Sequence, residues 1–260
     1  MLTLASDRLI PEKAPEIFYP SEDGEPLAES FVHIDAIVLL IVLLRQYLQD
    51  HFQPQKPLIL ANQYVYYAEN FPSLRFAPDV AVIFGVEPDP RDNYKIWEEK
   101  QVPAIIFEIT SPGTQNEDKQ TKKKLYESIG VQEYWLFDPK AEWIPEQLRG
   151  YRLAGGVYQT INDRHSDVLS LRLQPEGALL ELYRRDTGEK LPLPSEVTEA
   201  LRQERIARQV AESNLEQERQ RAEQERQRAE QEQQRAEQER QRAERLAEQL
   251  RQLGVDPDRF

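Results

Sequence analysis

The sequence predicts an α/β fold, in which helices flank a mixed β-sheet and a long charged helix follows at the C-terminus. Apolar residues recur every three or four positions from Leu27 to Leu48, which is the period of a helix with one buried face. Short runs of β-branched and aromatic residues follow, bounded by Pro, Asn and Gly as strands usually are. The order helix, strands, helix, strand indicates a sheet with mixed strand directions.

The predicted elements succeed one another with short breaks. Residues 1–26 are rich in proline and are expected to be irregular. A helix is predicted over 115–129, capped by Asn116 and ended by Gly130 in the left-handed conformation. Residues 179–185 fit either a last strand or a helix. The remaining strands are predicted at 58–61, 65–67, 80–84, 104–109, 132–138, around Trp143, and at 149–153 and 157–160.

A seven-residue unit, LEQERQR and then AEQERQR, repeats from Leu215. Leu or Ala occupies only one position in each heptad, and Glu stands where a coiled coil needs a second apolar residue. Glu and Arg also recur three and four residues apart, and each such pair is worth about 0.2–0.5 kcal/mol. A solvated single helix or loose self-association is therefore favoured, with a coiled coil as the alternative. The expected segments are 1–26, a globular domain at 27–195, this helix at 196–253 and a tail at 254–260.

Composition excludes several kinds of site. The 260 residues contain no Cys and only three His, so disulfides and zinc sites built from Cys and His are excluded. The most apolar segment, 34–44, is shorter than the roughly 20 residues of a membrane span, so we expect a buried helix in a cytoplasmic protein. The net charge of −13 opposes a broadly basic nucleic-acid-binding surface, so any such binding needs a local patch or a metal ion.

Two acidic residues stand at the ends of apolar runs and are the strongest candidates for chemistry. Asp79 begins the run that continues through Val80–Gly85, and Glu108 lies near the end of the run 102–111. If the two runs are neighbouring strands, their carboxylates converge and can hold Mg²⁺, which prefers oxygen ligands. A bound cation activates water and neutralises charge on phosphate, and a lysine nearby adds to that effect. The pattern therefore predicts hydrolysis of phosphodiesters.

Further motifs strengthen this interpretation through a family resemblance. They are Pro78-Asp79, FEITSP at 107–112, Asp118-x-x-x-Lys122-x-x-x-Tyr126 and GVQEYW at 130–135, preceded by Asp23-Gly24-x-Pro26 and His33. With them the chain resembles the PD-(D/E)XK nuclease superfamily, and more closely the Uma2-like (DUF820) restriction endonucleases, over about residues 20–190. The resemblance implies a restriction-endonuclease-like core, with Asp79 and Glu108 as ligands of Mg²⁺ or Mn²⁺. It also implies the backbone carbonyl of Ile109 as a third ligand.

The chain departs from the simplest superfamily pattern at one place. Thr110 stands two residues after Glu108, where the pattern has lysine. In the Uma2-like group the following helix usually supplies this lysine, and Lys122 fits that position. Lys123 and Lys124 would point about 100° and 200° away on a helix and are expected to face solvent.

Each candidate also has a structural interpretation. Asp79 could be a turn residue, and Glu108 could form a structural pair with a lysine. An acidic residue at the start of the first helix could reach the metal or favour the helix dipole. The additional site candidates are Glu29, His33, Thr110, Asp118 and Tyr126. For Tyr126 a place in the core or the pocket wall is favoured, and His33 could equally be a structural histidine.

Three functions fit these residues. The first is a Mg²⁺-dependent DNA endonuclease acting as a homodimer, because cutting both strands usually needs two sites. The second is an inactive nuclease fold that acts as a scaffold through its charged helix, and the third is a nuclease acting on RNA. No membrane association and no organic cofactor are expected.

Overall fold

The structure is a computed structural model that describes residues 17–22, 24, 29–52, 56–111, 113 and 117–252, apart from the side chains of 250–252. Two compact units divide the chain, Met1–Pro194 and Ser195–Phe260. In chain order the elements are α1 (Phe31–His51), β1 (Leu58–Leu60), β2 (Val65–Tyr66), β3 (Arg75–Phe76), β4 (Val80–Ile83), β5 (Tyr94–Lys95), α2 (Ile96–Glu99), β6 (Ile105–Ile109), a π-helical segment (Glu117–Lys122), α3 (Lys123–Ile129), β7 (Glu133–Phe137), β8 (Leu148–Ala154), β9 (Val157–Ile161), β10 (His165–Ser166), β11 (Leu171–Glu176), β12 (Leu179–Arg184) and α4 (Pro194–Gln252).

A six-stranded sheet in the order β1-β4-β6-β7-β8-β9 forms the centre of the first unit. Its strands pair antiparallel except for β6 and β7, which are parallel. Two three-stranded sheets, β3-β2-β5 and β10-β11-β12, accompany it. This mixed sheet with helices on its faces confirms the predicted fold class.

The central strands are buried on both faces, so their side chains alternate between two cores. Ile105, Phe107 and Ile109 of β6 point to a core shared with α1 and with β11 and β12. Ile106 points to a second core that contains Tyr126 of α3 and Tyr134 of β7. Glu108 has the parity of Ile106, so the alternation places its carboxylate on the α3 face of the sheet.

The helix α1 covers one face of the sheet. Ser30 caps its first turn by accepting a hydrogen bond from the backbone N–H of His33 at 3.3 Å. Its inner residues, such as Leu40 and Leu44, are buried in the first core. With 21 residues, α1 is long and apolar enough to cross a membrane, so the length argument for a buried helix was wrong, while its buried face agrees with a core helix.

Several elements differ from the sequence prediction. The strand expected around Trp143 is wrong: Asp138 accepts hydrogen bonds from the backbone N–H groups of Lys140, Trp143 and Ile144, which fold the segment into a loop. The segment predicted at 179–185 forms a strand, Leu179–Arg184, rather than a helix. Gly130 ends α3 with φ 90°, as predicted, whereas Asn116 lies outside the described residues. The strands β3, β5, β10 and β11 were not predicted.

The described part of the N-terminal segment contacts the folded domain. Tyr19 packs edge-on against Tyr66 with 5.0 Å between ring centroids. The carbonyl of Pro20 accepts a hydrogen bond from the Tyr66 hydroxyl at 2.5 Å. These residues lack helix or strand structure, but they belong to the packing around β2.

The helix α4 spans 59 residues, and nearly all of its described side chains are exposed. Arg and Glu four residues apart form ion pairs at 3.1 Å, for example Arg226 with Glu230 and Arg240 with Glu244. Such pairs stabilise an isolated helix in water. A single solvated helix therefore remains our prediction, with a coiled coil as the alternative.

Candidate active site

The strands β4 and β6 bring the two predicted carboxylates together. Val80 pairs with Phe107 in antiparallel register, so Asp79 comes opposite Glu108 on the next pair. The Asp79 carboxylate accepts a hydrogen bond from the backbone N–H of Ile109 at 2.6 Å. This bond fixes Asp79 against the end of β6.

Glu108 lies at the centre of the cluster and is only 1% exposed. Its carboxylate accepts hydrogen bonds from Lys122 Nζ at 2.9 Å and from the Tyr126 hydroxyl at 2.6 Å. Burial raises the pKa of Glu108 to about 8, and the charges of Asp79 and Asp118 add to this, although Lys122 opposes it. The site therefore contains a carboxyl group that releases its proton with difficulty.

Lys122 bridges two acidic residues. Its Nζ lies 2.9 Å from Glu108 Oε2 and 3.0 Å from Asp118 Oδ1. Burial lowers the pKa of Lys122, but the attraction of the two carboxylates outweighs burial and raises it overall, so the ammonium stays charged. Lys122, the last residue of the π-helical segment that precedes α3, thus reaches the Glu108 carboxylate, and its catalytic role stays a prediction.

A π-helical segment, Glu117–Lys122, supplies Asp118 and Lys122. The Tyr134 hydroxyl donates to the backbone carbonyl of Asp118 at 2.9 Å. A side chain inserted into the helical hydrogen-bond ladder is a recognised cause of such local widening. π-helical turns occur frequently at functional sites.

His33 lies on the opposite side of Asp79 from Ile109. Its Nε2 is 3.7 Å from Asp79 Oδ1, and its Nδ1 is 3.7 Å from Glu29 Oε2. Burial lowers the pKa of His33, but Asp79, Glu29 and Asp118 outweigh it, so the pKa is raised. The structure thus brings His33 of α1, and Glu29 just before α1, to the carboxylate cluster.

The other candidates lie nearby in different roles. Thr110 is buried and donates to the Phe137 carbonyl at 3.3 Å, so its side chain bonds to β7. Lys124 is exposed, as predicted. Lys123 is half-buried, with its Nζ 3.9 Å from the centroid of the Tyr151 ring, so a fully solvated position for Lys123 was wrong.

The acidic groups outnumber the basic ones in this cluster. Glu29, Asp79, Glu108 and Asp118 surround one ammonium and one imidazole. In the described part of the chain, no group of three or more His, Asp and Glu forms a ready-made metal site. The donors present are carboxylate oxygens, the type that hard divalent cations prefer.

Comparison with known proteins gives the family. Residues 10–183 match the model of the Uma2 family, described as putative restriction endonucleases. The chain belongs to the Uma2 family. The description of the Uma2 family supports a nuclease function for this chain. No curated protein matches the chain significantly.

A solved structure is also similar to this Uma2 chain. It is a putative nuclease belonging to DUF820 from Anabaena variabilis, with 15% sequence identity and a TM-score of 0.39. The alignment covers 58% of this chain and 74% of that chain.

The sequence of this Uma2 chain was not seen to predict the structural roles of two buried carboxylates, Glu133 and Asp138. Glu133 accepts from Trp135, Arg152 and Ser166, and from the backbone N–H groups of 167 and 168. Asp138 organises the loop that follows β7. The signal was present in the sequence, because both are acidic residues in or directly after an otherwise apolar strand.

Proposed function

We propose that this chain is a Mg²⁺-dependent endonuclease that hydrolyses phosphodiester bonds of DNA, with Mn²⁺ able to replace Mg²⁺. The observation that carries the proposal is the contact of buried Glu108 with Lys122, on a face where Asp79 stands opposite Glu108 in register. A buried lysine–carboxylate pair beside a second carboxylate matches the requirements of cation-assisted phosphodiester hydrolysis.

The residues present fit a divalent cation. We assign Asp79, Glu108 and the backbone carbonyl of Ile109 as its ligands. The N–H and C=O of one strand residue point to the same side, and the N–H of Ile109 bonds Asp79, so the Ile109 carbonyl faces Asp79 too. When bound, the cation would lower the pKa of a coordinated water and neutralise charge on the phosphate. Its charge would also offset the excess of carboxylates.

The protein groups around these ligands have distinct tasks. Lys122 places a positive charge where charge develops on the phosphate and orients the attacking water. Tyr126 holds one Glu108 oxygen in place at 2.6 Å. His33, close to Asp79 and Glu29, positions the Asp79 carboxylate from the α1 side.

Cleavage of supercoiled plasmid with Mg²⁺, with Mn²⁺ and with EDTA tests the proposal. We expect nicking or linearisation by the wild type, and its loss in EDTA and in Asp79→Asn, Glu108→Gln and Lys122→Met. Lys124→Met is the matched control, because Lys124 is an exposed lysine close to Lys122 in sequence. Equal cutting by the wild type and Glu108→Gln would show that the assigned site is wrong.

The same assay separates the alternatives. An RNA nuclease would leave the plasmid intact and degrade a transcript of the same sequence, with the same dependence on Glu108. An inactive scaffold would cut neither substrate, and calorimetry with Mg²⁺ would then show no binding that depends on Asp79.

We further propose that the enzyme works in the cytoplasm as a homodimer. The outer face of α1 exposes Phe31, Ile34, Val38 and Val42, and Phe31 is 82% exposed. On an antiparallel pair of α1 helices, Asp35 of one copy would meet Arg45 of the other, so charge supports self-association there. Light scattering should give twice the chain mass for the wild type and a monomer for Val38→Asp.

A further inference from the structure

A shallow concavity lies directly beside the carboxylate cluster. Three elements line it: the start of α1, the end of β6 and the loop after β7. Its lining includes Ser30, His33, Thr110, Ser111, Lys140 and Trp143. His33 also approaches Asp79, so the concavity and the candidate active site share a wall.

Hydrogen bonds to the Asp138 carboxylate and from Lys119 fix the backbone of the loop 138–144. The Asp138 carboxylate accepts from the N–H groups of Lys140, Trp143 and Ile144 at 3.2, 2.6 and 2.8 Å. Lys119, in the π-helical segment, donates to the Trp143 carbonyl at 2.9 Å. The loop is therefore tied to the segment that carries Lys122.

Three loop side chains that are at least partly exposed line the concavity: Lys140, Glu142 and Trp143. Lys140 is exposed, and the Trp143 indole is only half-buried although the loop backbone beneath it is fixed. Because the loop backbone is already fixed, the partly exposed Trp143 ring can stack on a base without further ordering of the loop.

The charge of Lys140 supports a phosphate contact here. The chain carries a net charge of −13, and Lys140 is the one lysine among the residues that line the concavity, where the acidic residues are Asp138 and Glu142. The Asp138 carboxylate is taken up by the loop N–H groups, so Lys140 is the positive charge that a phosphate backbone would meet at this place.

We propose that Lys140 and Trp143 form a subsite for the DNA strand that flanks the scissile phosphate. Lys140 contacts a backbone phosphate, and the Trp143 indole stacks on a nucleobase. Contacts of this kind hold a strand without reading its sequence. The inference rests on the proposed nuclease function and adds the place where the substrate strand runs.

Binding without cleavage tests the subsite. A labelled DNA oligonucleotide is titrated, with anisotropy as the readout, into Glu108→Gln protein in Ca²⁺. Adding Trp143→Ala should raise Kd about tenfold, and Trp143→Phe should restore most of the affinity. Adding Lys140→Ala should raise Kd and lower the salt dependence by about one phosphate contact.

Matched controls are a tryptophan and a lysine outside the concavity. Trp97 packs against Tyr19, and Lys56 precedes β1, whose pairing with β4 puts it at the other end of the sheet from Asp79. Trp97→Ala and Lys56→Ala should leave Kd unchanged. If Trp143→Ala unfolds the protein, quenching of the exposed indole by oligonucleotide in a Trp97→Phe background gives the same information, because Trp135 is buried.

The possible outcomes separate the subsite from the nuclease. Metal-dependent cutting by the wild type with unchanged Kd in both loop variants would overturn the subsite and leave the nuclease standing. A lower melting temperature in Trp143→Ala with unchanged Kd would make Trp143 a structural residue. Absence of both DNA binding and cleavage in the wild type would overturn the two proposals together.

Discussion

Two neighbouring strands each bury one glutamate, and the two carboxylates have opposite surroundings. Glu108 on β6 and Glu133 on β7 are both 1% exposed, and they point to opposite faces of the sheet. Glu133 accepts from five donors on three segments of the chain. Glu108 accepts from two donors and faces the carboxylates of Asp79 and Asp118.

This difference separates a structural carboxylate from a candidate catalytic one. A buried charge with a full set of donors fixes the chain segments that provide them. A buried charge with few donors and like charges nearby keeps a raised pKa and the capacity to bind a cation. Burial alone would have given both glutamates the same role.

The largest expected effect is the loss of catalysis in Glu108→Gln. The amide keeps the shape of the side chain but removes the charge, so we expect cleavage to fall about a thousandfold. The melting temperature should not fall, because the folded protein no longer holds an ionisable group in a buried position. Gel quantification of cut plasmid measures the cleavage, and calorimetric melting measures the melting temperature. Unchanged cleavage would contradict the distinction between a catalytic Glu108 and a structural Glu133.

The converse is expected for Glu133→Gln. Replacing the carboxylate leaves Arg152 without its partner and sets an amide N–H₂ against several donors, which should lower the free energy of unfolding by about 3 kcal/mol. Urea denaturation measures this value. The fraction that remains folded should cut DNA at the wild-type rate, and a selective loss of cleavage would place Glu133 in the active site.

The pH dependence of stability should separate the two glutamates next. The folded-state pKa of Glu108 is about 8, above its ordinary value of 4.5. Between these values the folded protein holds a proton that the unfolded chain has released, so stability falls as pH rises from 4.5 to 8. In EDTA this fall should reach a few kcal/mol.

Urea denaturation at several pH values gives the required slope. Glu108→Gln should flatten it, whereas Glu133→Gln should keep it while lowering the whole curve. A wild-type protein that grows more stable toward pH 8 would contradict the raised pKa of Glu108.

Gly150→Ala perturbs only the face of the sheet that carries Glu133. A Cβ at Gly150 would lie 2.5–2.7 Å from ring carbons of Trp135, whose indole N–H bonds Glu133. Crowding of this size costs about 1–3 kcal/mol. The urea midpoint should fall accordingly while Mg²⁺ binding by calorimetry stays unchanged, since the substitution lies on the other face from Glu108.

The smallest effect is expected for Tyr126→Phe. The substitution removes one hydrogen bond to Glu108, and this bond lowers the Glu108 pKa. The pH midpoint of cleavage should therefore move upward, with a rate loss of about tenfold at neutral pH. Tyr158→Phe is the control, because its hydroxyl bonds Val131 instead; an equal shift there would mean a general effect on the core.

The sequence predicts the fold class, and it names the residues of the candidate site, whose roles stay predictions. Asp79 and Glu108 could be named because each stands at the end of an apolar run, whereas Lys122 was chosen from the family resemblance. The convergence of the two carboxylates follows from strand pairing, which the burial pattern of adjacent strands indicates. The place of Glu133 in an apolar strand indicates a buried carboxylate, but most of its donors could not be predicted, since they come from residues 152–168, far along the chain.

Short elements were missed for a physical reason. The strands β3, β5 and β10 have two residues each, too few to show a period of two. The apolar residues around Trp143 suggested a strand, but the Asp138 side chain took the backbone N–H groups that a strand partner would need. In the π-helical turn the carbonyl of Asp118 accepts a hydrogen bond from Tyr134 of β7, a partner that local sequence does not indicate.

The π-helical turn also separates the front of the helix from α3, so that the two parts can change independently. Deleting one residue between Asp118 and Lys122 would restore ordinary winding and rotate everything before the deletion by about 100° relative to α3. Asp118 and Lys119 would then leave their present partners, and Lys122 would lose its contact with Asp118. Lys122 and Tyr126 would keep their hydrogen bonds to Glu108. Relatives that lack this residue would share the Glu108–Lys122 pair and still differ in how the front of the helix meets the loop at Trp143.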